Sequence, residues 1–119
     1  MANVFKVITK AGVSVDSGSP DTLLDVDVDK TEVILSLLLA NKHSDSIQAT
    51  VILSSNTAQS GAGATNADVY IVKDVVIDKR NSLEIMSGQK YILNTTDLLK
   101  VYADNANLDV VLSYMEQDV

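Results

Sequence analysis

Short runs rich in Val, Ile and Leu, each separated from the next by a polar turn, follow one another along almost the whole of this 119-residue chain. Such runs are typical of β-strands, and turn signals at this spacing are typical of an all-β sandwich or barrel. A chain of this size buries one hydrophobic core. We therefore predict an all-β fold, an antiparallel β-sandwich (jelly-roll-like) of about eight strands. It forms a single domain over residues 1–119, and residues 1–20 are a candidate for an extended arm.

Two consecutive runs, TEVILSLLLAN and IQATVILSS, are expected to form the centre of the sandwich. In the first run, the alternation of side chains places Val33, Leu35, Leu37 and Leu39 on one face of a strand and the intervening residues on the other. Both faces are apolar, so we expect this strand to be central, covered on both sides and paired with the second run as a hairpin. We expect Leu35, Leu37 and Leu39 to contribute to contact with another subunit.

The composition disfavours several classes of function. Sixteen acidic and nine basic residues give a formal charge of −7, which repels nucleic acid and anionic membranes. The absence of Cys excludes disulfides, Cys-based zinc sites and thiol nucleophiles. The N-terminal residues lack the pattern of a secretory signal, and the longest apolar run, Val33 to Ala40, is too short to span a membrane. We therefore expect no cofactor, no direct binding of nucleic acid and no membrane partner.

Two polar motifs are candidates for chemistry. Asp25, Asp27 and Asp29 alternate with apolar residues in LLDVDVDK, and three carboxylates at this spacing form a weak candidate calcium site. The favoured interpretation is a solvent-facing strand whose charges prevent pairing with other sheets. His43 lies beside Ser44 in NKHSDS, but neighbouring residues of a tight turn point in different directions, so we predict a solvated histidine rather than a catalytic triad. We predict no catalytic residue and no enzymatic activity.

Exposed loops are the other candidate contacts, since loops carry function more often than strands do. The longest loop, residues 55–66, contains Gly61 and Gly63, and we expect it to be mobile or ordered by a partner. Lys79 and Arg80 are predicted to form a hairpin turn that contacts an acidic neighbour. The four tyrosines are expected to pack in the core or at an interface, and the alternative is a sugar-stacking platform. They are Tyr70, Tyr91, Tyr102 and Tyr114.

Three stretches carry a resemblance to a known group of proteins. They are VILSLLLANKHSDSIQATVIL, NADVYIVKDVVIDKRNSLEIMSGQKYIL and TTDLLKVYADNANLDVVLSYMEQ. In the order of strands and turns, the chain resembles, from about Phe5 to Glu116, small virion structural proteins of tailed bacteriophages, especially of phages that infect marine cyanobacteria. The resemblance implies a non-enzymatic protein that is present in several copies on a capsid, neck or tail. It implies no catalytic residues.

The expected function is therefore that of a virion structural protein, assembled in the host cytoplasm. The leading interpretation is a capsid decoration (cement) protein that stabilises the head, bound through many weak contacts. A neck or tail adaptor or a fibre-attachment component is the alternative. The expected partners are other virion proteins and further copies of the chain. A carbohydrate-binding module is the alternative of another class.

Overall fold

Nine β-strands make up the secondary structure of the residues that the computed structural model describes, which are 3–57, 64–86 and 88–118. No helix occurs within these ranges. The all-β prediction is therefore confirmed. In chain order, the strands are β1 (Asn3–Ala11), β2 (Asp21–Asp25), β3 (Lys30–Asn41), β4 (Ile47–Ser54), β5 (Asp68–Ile77), β6 (Ser82–Glu84), β7 (Tyr91–Asn94), β8 (Leu98–Ala103) and β9 (Leu108–Asp118).

The strands form two antiparallel sheets. One contains β1, β9 and β3 in that order, with the short β6 and β7 both paired to the far side of β3, and the other contains β2, β8, β4 and β5. Four sets of paired strands are nested like the arms of one long hairpin. From the outside inwards, they are β1 with β9, β2 with β8, β3 with β6 and β7, and β4 with β5. Rolling this hairpin brings β3 against β9 and β4 against β8. This is the order of a jelly roll in which one strand is split into two pieces, so the predicted sandwich is confirmed.

The hydrophobic core lies between the two sheets and is built mainly from aliphatic side chains. Leu37 and Leu39, which were expected to contact another subunit, are fully buried in it and offer no surface to a partner. That expectation is wrong for these two residues, because they face the opposite sheet. The largest fully buried side chains are those of Ile34, Leu37, Leu39, Ile47, Met86, Leu93, Leu99, Leu108, Leu112, Val51, Val101 and Val110.

A β-bulge at Leu35 changes which residues of β3 face the core. The register with β9 shifts between Ile34 and Ser36, so that Leu35 is an extra residue on β3 and is half-buried. A bulge reverses the alternation of side chains on one side of itself. Ile34 is consequently fully buried with Leu37, whereas Val33 is only half-buried and lies on the outer face. The prediction that Val33 shares a face with Leu37 is wrong for this reason.

Two connections predicted as hairpins join the two sheets instead. β3 and β4 are adjacent in sequence but belong to different sheets and do not pair with each other. The turn at 78–81, closed by a bond from the N–H of Asn81 to the carbonyl of Asp78 (3.1 Å), likewise leads from β5 in one sheet to β6 in the other. Local turn signals locate a change of direction. They do not decide whether the next strand pairs with the previous one or packs across the core from it.

The first strand occupies the segment that was a candidate for an extended arm. Residues 3–11 pair along their whole length with β9 and form an edge of the five-stranded sheet. The prediction of an extended arm is therefore wrong for residues 3–11, because this segment pairs with β9. At the start of β1, the paired residue is more than a hundred positions away in the sequence.

Candidate functional site

The outer face of the five-stranded sheet is the candidate site. Directly paired residues of antiparallel strands point to the same side of a sheet, so the side chains on this face form rows that cross the strands. Three successive rows contain no charged residue, and we call them the uncharged face. The first row is Asn3, Gln117, Thr31 and Asn94, the second is Phe5, Met115, Val33 and Ile92, and the third is Val7, Ser113 and Ser36.

The uncharged face has the composition of a protein interface. Charged residues make up 21% of the chain, and the central regions of interfaces are depleted of them. Phe5 is the single Phe of the chain and is 72% exposed, while Val7 and Ile92 are 61% and 66% exposed. Contiguous exposed apolar side chains mark sites of contact with other molecules. Among the paired residues of this face, charge returns at Glu84 in the fourth row and at Asp109 in the fifth.

The alternation of β1 places its two lysines on the inner side. The ammonium group of Lys6 lies 3.1 Å from Oε1 of Glu116, and that of Lys10 lies 3.9 Å from Oδ2 of Asp21. Both pairs are partly exposed, and such pairs contribute little to stability. The two pairs hold both lysine side chains on the inner side of the sheet. The side chains of β1 on the outer face are therefore uncharged.

A pair of carboxyl groups lies on the inner side of the same sheet. Glu32 and Glu116 are directly opposite each other on β3 and β9. Glu32 is only 2% exposed, and within the described residues its Oε2 has no hydrogen-bond partner. Burial, followed by the hydrogen bond and the negative charge of Glu116, raises the pKa of Glu32 to about 7. Hydrogen bonding to Lys6 lowers the pKa of Glu116.

A raised pKa can mark an acid–base catalyst, but structural clusters of charges produce the same effect. A catalytic acid must come within hydrogen-bonding distance of its substrate. Glu32 is closed off from solvent by the strands around it, so a substrate cannot reach its carboxyl group in this structure. We therefore regard the pair as part of the packing. Neither residue was singled out from the sequence, although an acidic residue inside the apolar run TEVIL is a signal of an unusual environment.

Replacing Glu32 with glutamine is expected to remove part of the pH dependence of stability. The folded protein binds the proton of Glu32 more tightly than the unfolded chain does, because the pKa is about 7 instead of 4.5. This stabilisation is complete below pH 4.5 and is lost as the pH rises through 7. At pH 8, we expect Glu32→Gln to raise the free energy of unfolding by on the order of 2 kcal/mol. Urea denaturation between pH 5 and 8 measures the effect, with exposed Asp25 changed to Asn as control. Parallel pH curves for wild type and Glu32→Gln would contradict it.

His43 connects two turns through its ring. Its Nε2 lies 3.4 Å from Nδ2 of Asn105, and its Nδ1 lies 3.3 Å from Nδ2 of Asn107. Oδ1 of Asn105 also accepts a hydrogen bond from the N–H of Asn107 (2.9 Å), which links the two asparagines to each other. Both ring nitrogens face these amides, so Ser44 and Asp45 do not complete a triad with His43.

The three aspartates of LLDVDVDK do not form a common site. The predicted strand ends at Asp25, and Val28 and Asp29 form a turn in which Asp29 has a φ of 60°. The prediction of a continuous strand through Asp29 is therefore wrong. All three carboxylates are exposed, and among the residues in the described ranges no three acidic, His or Cys side chains are grouped as a metal site requires.

The four tyrosines are divided between the core and the outside. Tyr114 is buried and Tyr91 packs against the core, whereas Tyr70 and Tyr102 lie on the outer face of the four-stranded sheet. Nζ of Lys73 lies 4.6 Å from the centroid of the Tyr70 ring. This ammonium group covers one ring face, which disfavours a sugar-stacking platform at that position.

The remaining predicted contact residues have different outcomes. Lys79 and Arg80 are exposed in the turn at 78–81, and Arg80 has a φ of 57°. Neither of them forms an ion pair with another described residue, and their role in contacts stays a prediction. Gly61 and Gly63 lie outside the described residues.

A buried aspartate that the sequence analysis did not single out connects three loops. The carboxylate of Asp97 accepts hydrogen bonds from the N–H of Asn56 (2.9 Å), Oγ1 of Thr57 (2.6 Å) and the N–H of Asn94 (3.0 Å). Its backbone carbonyl accepts a further bond from the N–H of Val26 (3.2 Å). Asp97 therefore holds the end of β4, the β7–β8 turn and the β2–β3 connection together. The sequence identifies it only as part of a turn, because its partners come from distant segments.

Burial alone would raise the pKa of Asp97, but the hydrogen bonds from Thr57, Asn94 and Asn56 outweigh it and lower the pKa below 3.8. The carboxylate therefore remains ionised in the folded protein at neutral pH. Its role in the structure is that of a hydrogen-bond acceptor that joins loops.

Within the described ranges, no helix is long and apolar enough to cross a membrane.

Comparison with known proteins adds no identification. No protein-family model matches the sequence, and no curated protein matches it significantly. The function proposed below therefore draws on the uncharged face, the fold and the sequence resemblance.

Proposed function

We propose that this protein is a non-enzymatic structural subunit of a bacteriophage particle, which binds a neighbouring virion protein through the uncharged face. The observation that carries the proposal is the set of three uncharged rows with Phe5, Val7 and Ile92 exposed among them. Exposed apolar side chains on an uncharged surface favour binding to another protein, because burying them removes apolar area from water.

The fold and the sequence resemblance are secondary support. Jelly rolls are found among viral capsid proteins and also among lectins, and a fold alone does not specify a function. The covered ring of Tyr70 disfavours the lectin-like alternative. The charge of −7 disfavours direct contact with packaged nucleic acid. A capsid decoration protein is the leading form of the proposal, and a neck or tail component is the alternative.

The location is tested by quantitative mass spectrometry of purified particles of the phage that encodes the protein. A copy number close to that of the major capsid protein supports a decoration role. A number that corresponds to one ring supports a neck or tail component. Complete absence from particles would contradict the proposal.

Ile92→Lys is expected to weaken attachment to the particle at least about tenfold, because it places an ammonium group in the apolar row of the uncharged face. The side chain is 66% exposed, so we expect the melting temperature to stay near that of the wild type. Val28→Lys is the matched control, since Val28 is 73% exposed in the β2–β3 turn and belongs to none of the three rows. Particles that lack the protein are incubated with each variant, and the bound fraction is measured. Equal binding of Ile92→Lys and wild type would exclude the uncharged face as the contact.

A further inference from the structure

The free edge of β1 differs from the other edges of the two sheets. β1 is nine residues long and pairs with β9 without a register shift. β2 has five residues and an irregularity between Thr22 and Leu24. β5 has two register shifts against β4 and a residue with positive φ, Asp74. β6 and β7 have three and four residues. Among the described strands, β1 is therefore the long and regular edge.

Edge strands are usually protected from joining other strands by bulges, prolines, short length or charges. β1 has no bulge and no Pro. Its protective features are Lys6 and Lys10, which point to the inner side and are paired with Glu116 and Asp21. Two lysines do not prevent another strand from pairing along a nine-residue edge. They restrict which strand can be added to it, because a lysine must not be placed opposite another cation.

We propose that β1 pairs with β1 of a second copy of this chain, antiparallel, about a two-fold axis at Val7. In this register, all nine residues are paired. Lys6 then lies opposite Ile8 of the second copy, and Lys10 lies opposite Val4. In the alternative registers, β1 of the second copy is shifted by an even number of residues, because an odd shift would place opposed side chains on different sides of the sheet. The smallest such shift, in either direction, places Lys6 opposite Lys6 or opposite Lys10 of the second copy. The register that pairs the whole strand is thus the one that separates the lysines.

The pairing joins the two five-stranded sheets into one continuous sheet and brings the two uncharged faces side by side. Val7 lies opposite Val7 of the second copy, and Phe5 lies opposite Thr9. The interface is the same patch on both copies, as two-fold symmetry requires. Because it concerns the edge of the sheet, this pairing does not depend on the virion role proposed above.

The charge of the chain determines how the dimer responds to salt. Each copy carries a formal charge of −7, so the two copies repel each other at long range. Salt screens this repulsion. One pair of strands buries less area than a standard interface, and we therefore expect a dissociation constant in the micromolar range, about 1 to 100 μM. Dimerisation should become stronger as the ionic strength rises.

Sedimentation velocity over a range of concentrations tests the proposal. Val7→Lys and Val7→Glu each place like charges across the axis and are expected to weaken the dimer at least about tenfold. A mixture of the two variants is expected to regain dimers, because opposite charges then face each other. Val28→Lys is the control for an exposed lysine elsewhere. A wild type that stays monomeric at its highest soluble concentration would overturn the proposal, and so would a mixture that behaves like either variant alone.

A cross-link gives a second measurement, because it traps even a weak dimer covalently. The chain has no Cys, so Val7→Cys introduces a single thiol. Directly opposed residues of antiparallel strands have Cα atoms about 4.5–5.5 Å apart, which a disulfide can span. Mild oxidation is expected to convert Val7→Cys to covalent dimers while Val28→Cys stays mostly monomeric. Equal cross-linking of the two variants would contradict the pairing at Val7.

Discussion

Replacing Asp97 with alanine is expected to lower the free energy of unfolding by about 3 to 5 kcal/mol. The substitution removes a buried carboxylate that accepts bonds from Asn56, Thr57 and Asn94. Asn56, Thr57 and Asn94 then lose their hydrogen bonds to the carboxylate. A hydrogen bond to a charged group contributes about 1.5 to 3 kcal/mol. Since domains of this kind are stable by about 5 to 15 kcal/mol, the effect is a large part of the total.

Urea denaturation at neutral pH measures the loss. Asp104→Ala is the matched control, since the exposed carboxylate of Asp104 accepts one bond, from the N–H of Gln48 (2.9 Å). We expect this control to cost about 1 kcal/mol or less. Equal effects of the two substitutions would show that Asp97 does not connect the loops as described.

The lowered pKa of Asp97 also predicts how the free energy of unfolding changes in acid. The pKa of Asp97 is lowered in the folded protein, so the unfolded chain binds its proton more tightly. The stabilisation is therefore present above pH 3.8, the ordinary pKa of an aspartate, and is lost as the pH falls through the folded-state pKa below it. Asp97→Asn should be less stable than the wild type at neutral pH, and the difference should shrink in acid. A constant difference would contradict the lowered pKa.

Ile34→Ala is expected to lower the free energy of unfolding by about 2 to 5 kcal/mol, whereas Val33→Ala should cost about 1 kcal/mol or less. The bulge at Leu35 places Ile34 in the core, where truncation leaves a cavity, and places Val33 on the outer face. Simple alternation of side chains from Leu37 would predict the reverse order.

Urea denaturation of the two variants therefore tests the bulge directly, and each variant serves as the control for the other. Leu37→Ala should resemble Ile34→Ala, because both side chains are fully buried. A larger loss for Val33→Ala than for Ile34→Ala would show that the register of β3 is that of the unbulged strand.

The positions of most strands were predictable because side-chain alternation and turn chemistry are local properties. The runs that contain Tyr70, Tyr91 and Val101 are strands of the structure, and the turns lie between them. The strand through Asp29 was an error of the same local kind, since alternation continued into residues that form a turn.

Little of the candidate site was predictable, because its members are distant in sequence. Phe5, Val33, Ile92 and Met115 form one row only after β1, β3, β7 and β9 have been aligned. Each residue by itself is an ordinary member of an apolar run. Glu32 and Glu116 were missed for the same reason, since the pKa of Glu32 depends on a neighbour from another strand.

By itself, the sequence determined the all-β class, the two-sheet sandwich and the acidic, cysteine-free chemistry of the chain, since these follow from composition and local periodicity. Only the tertiary structure decided which strands pair, which side of β3 faces the core after Leu35 and which side chains remain outside. Pairing is a competition among distant segments for backbone hydrogen bonds and buried area. A local pattern contains no information about which of these distant segments will pair.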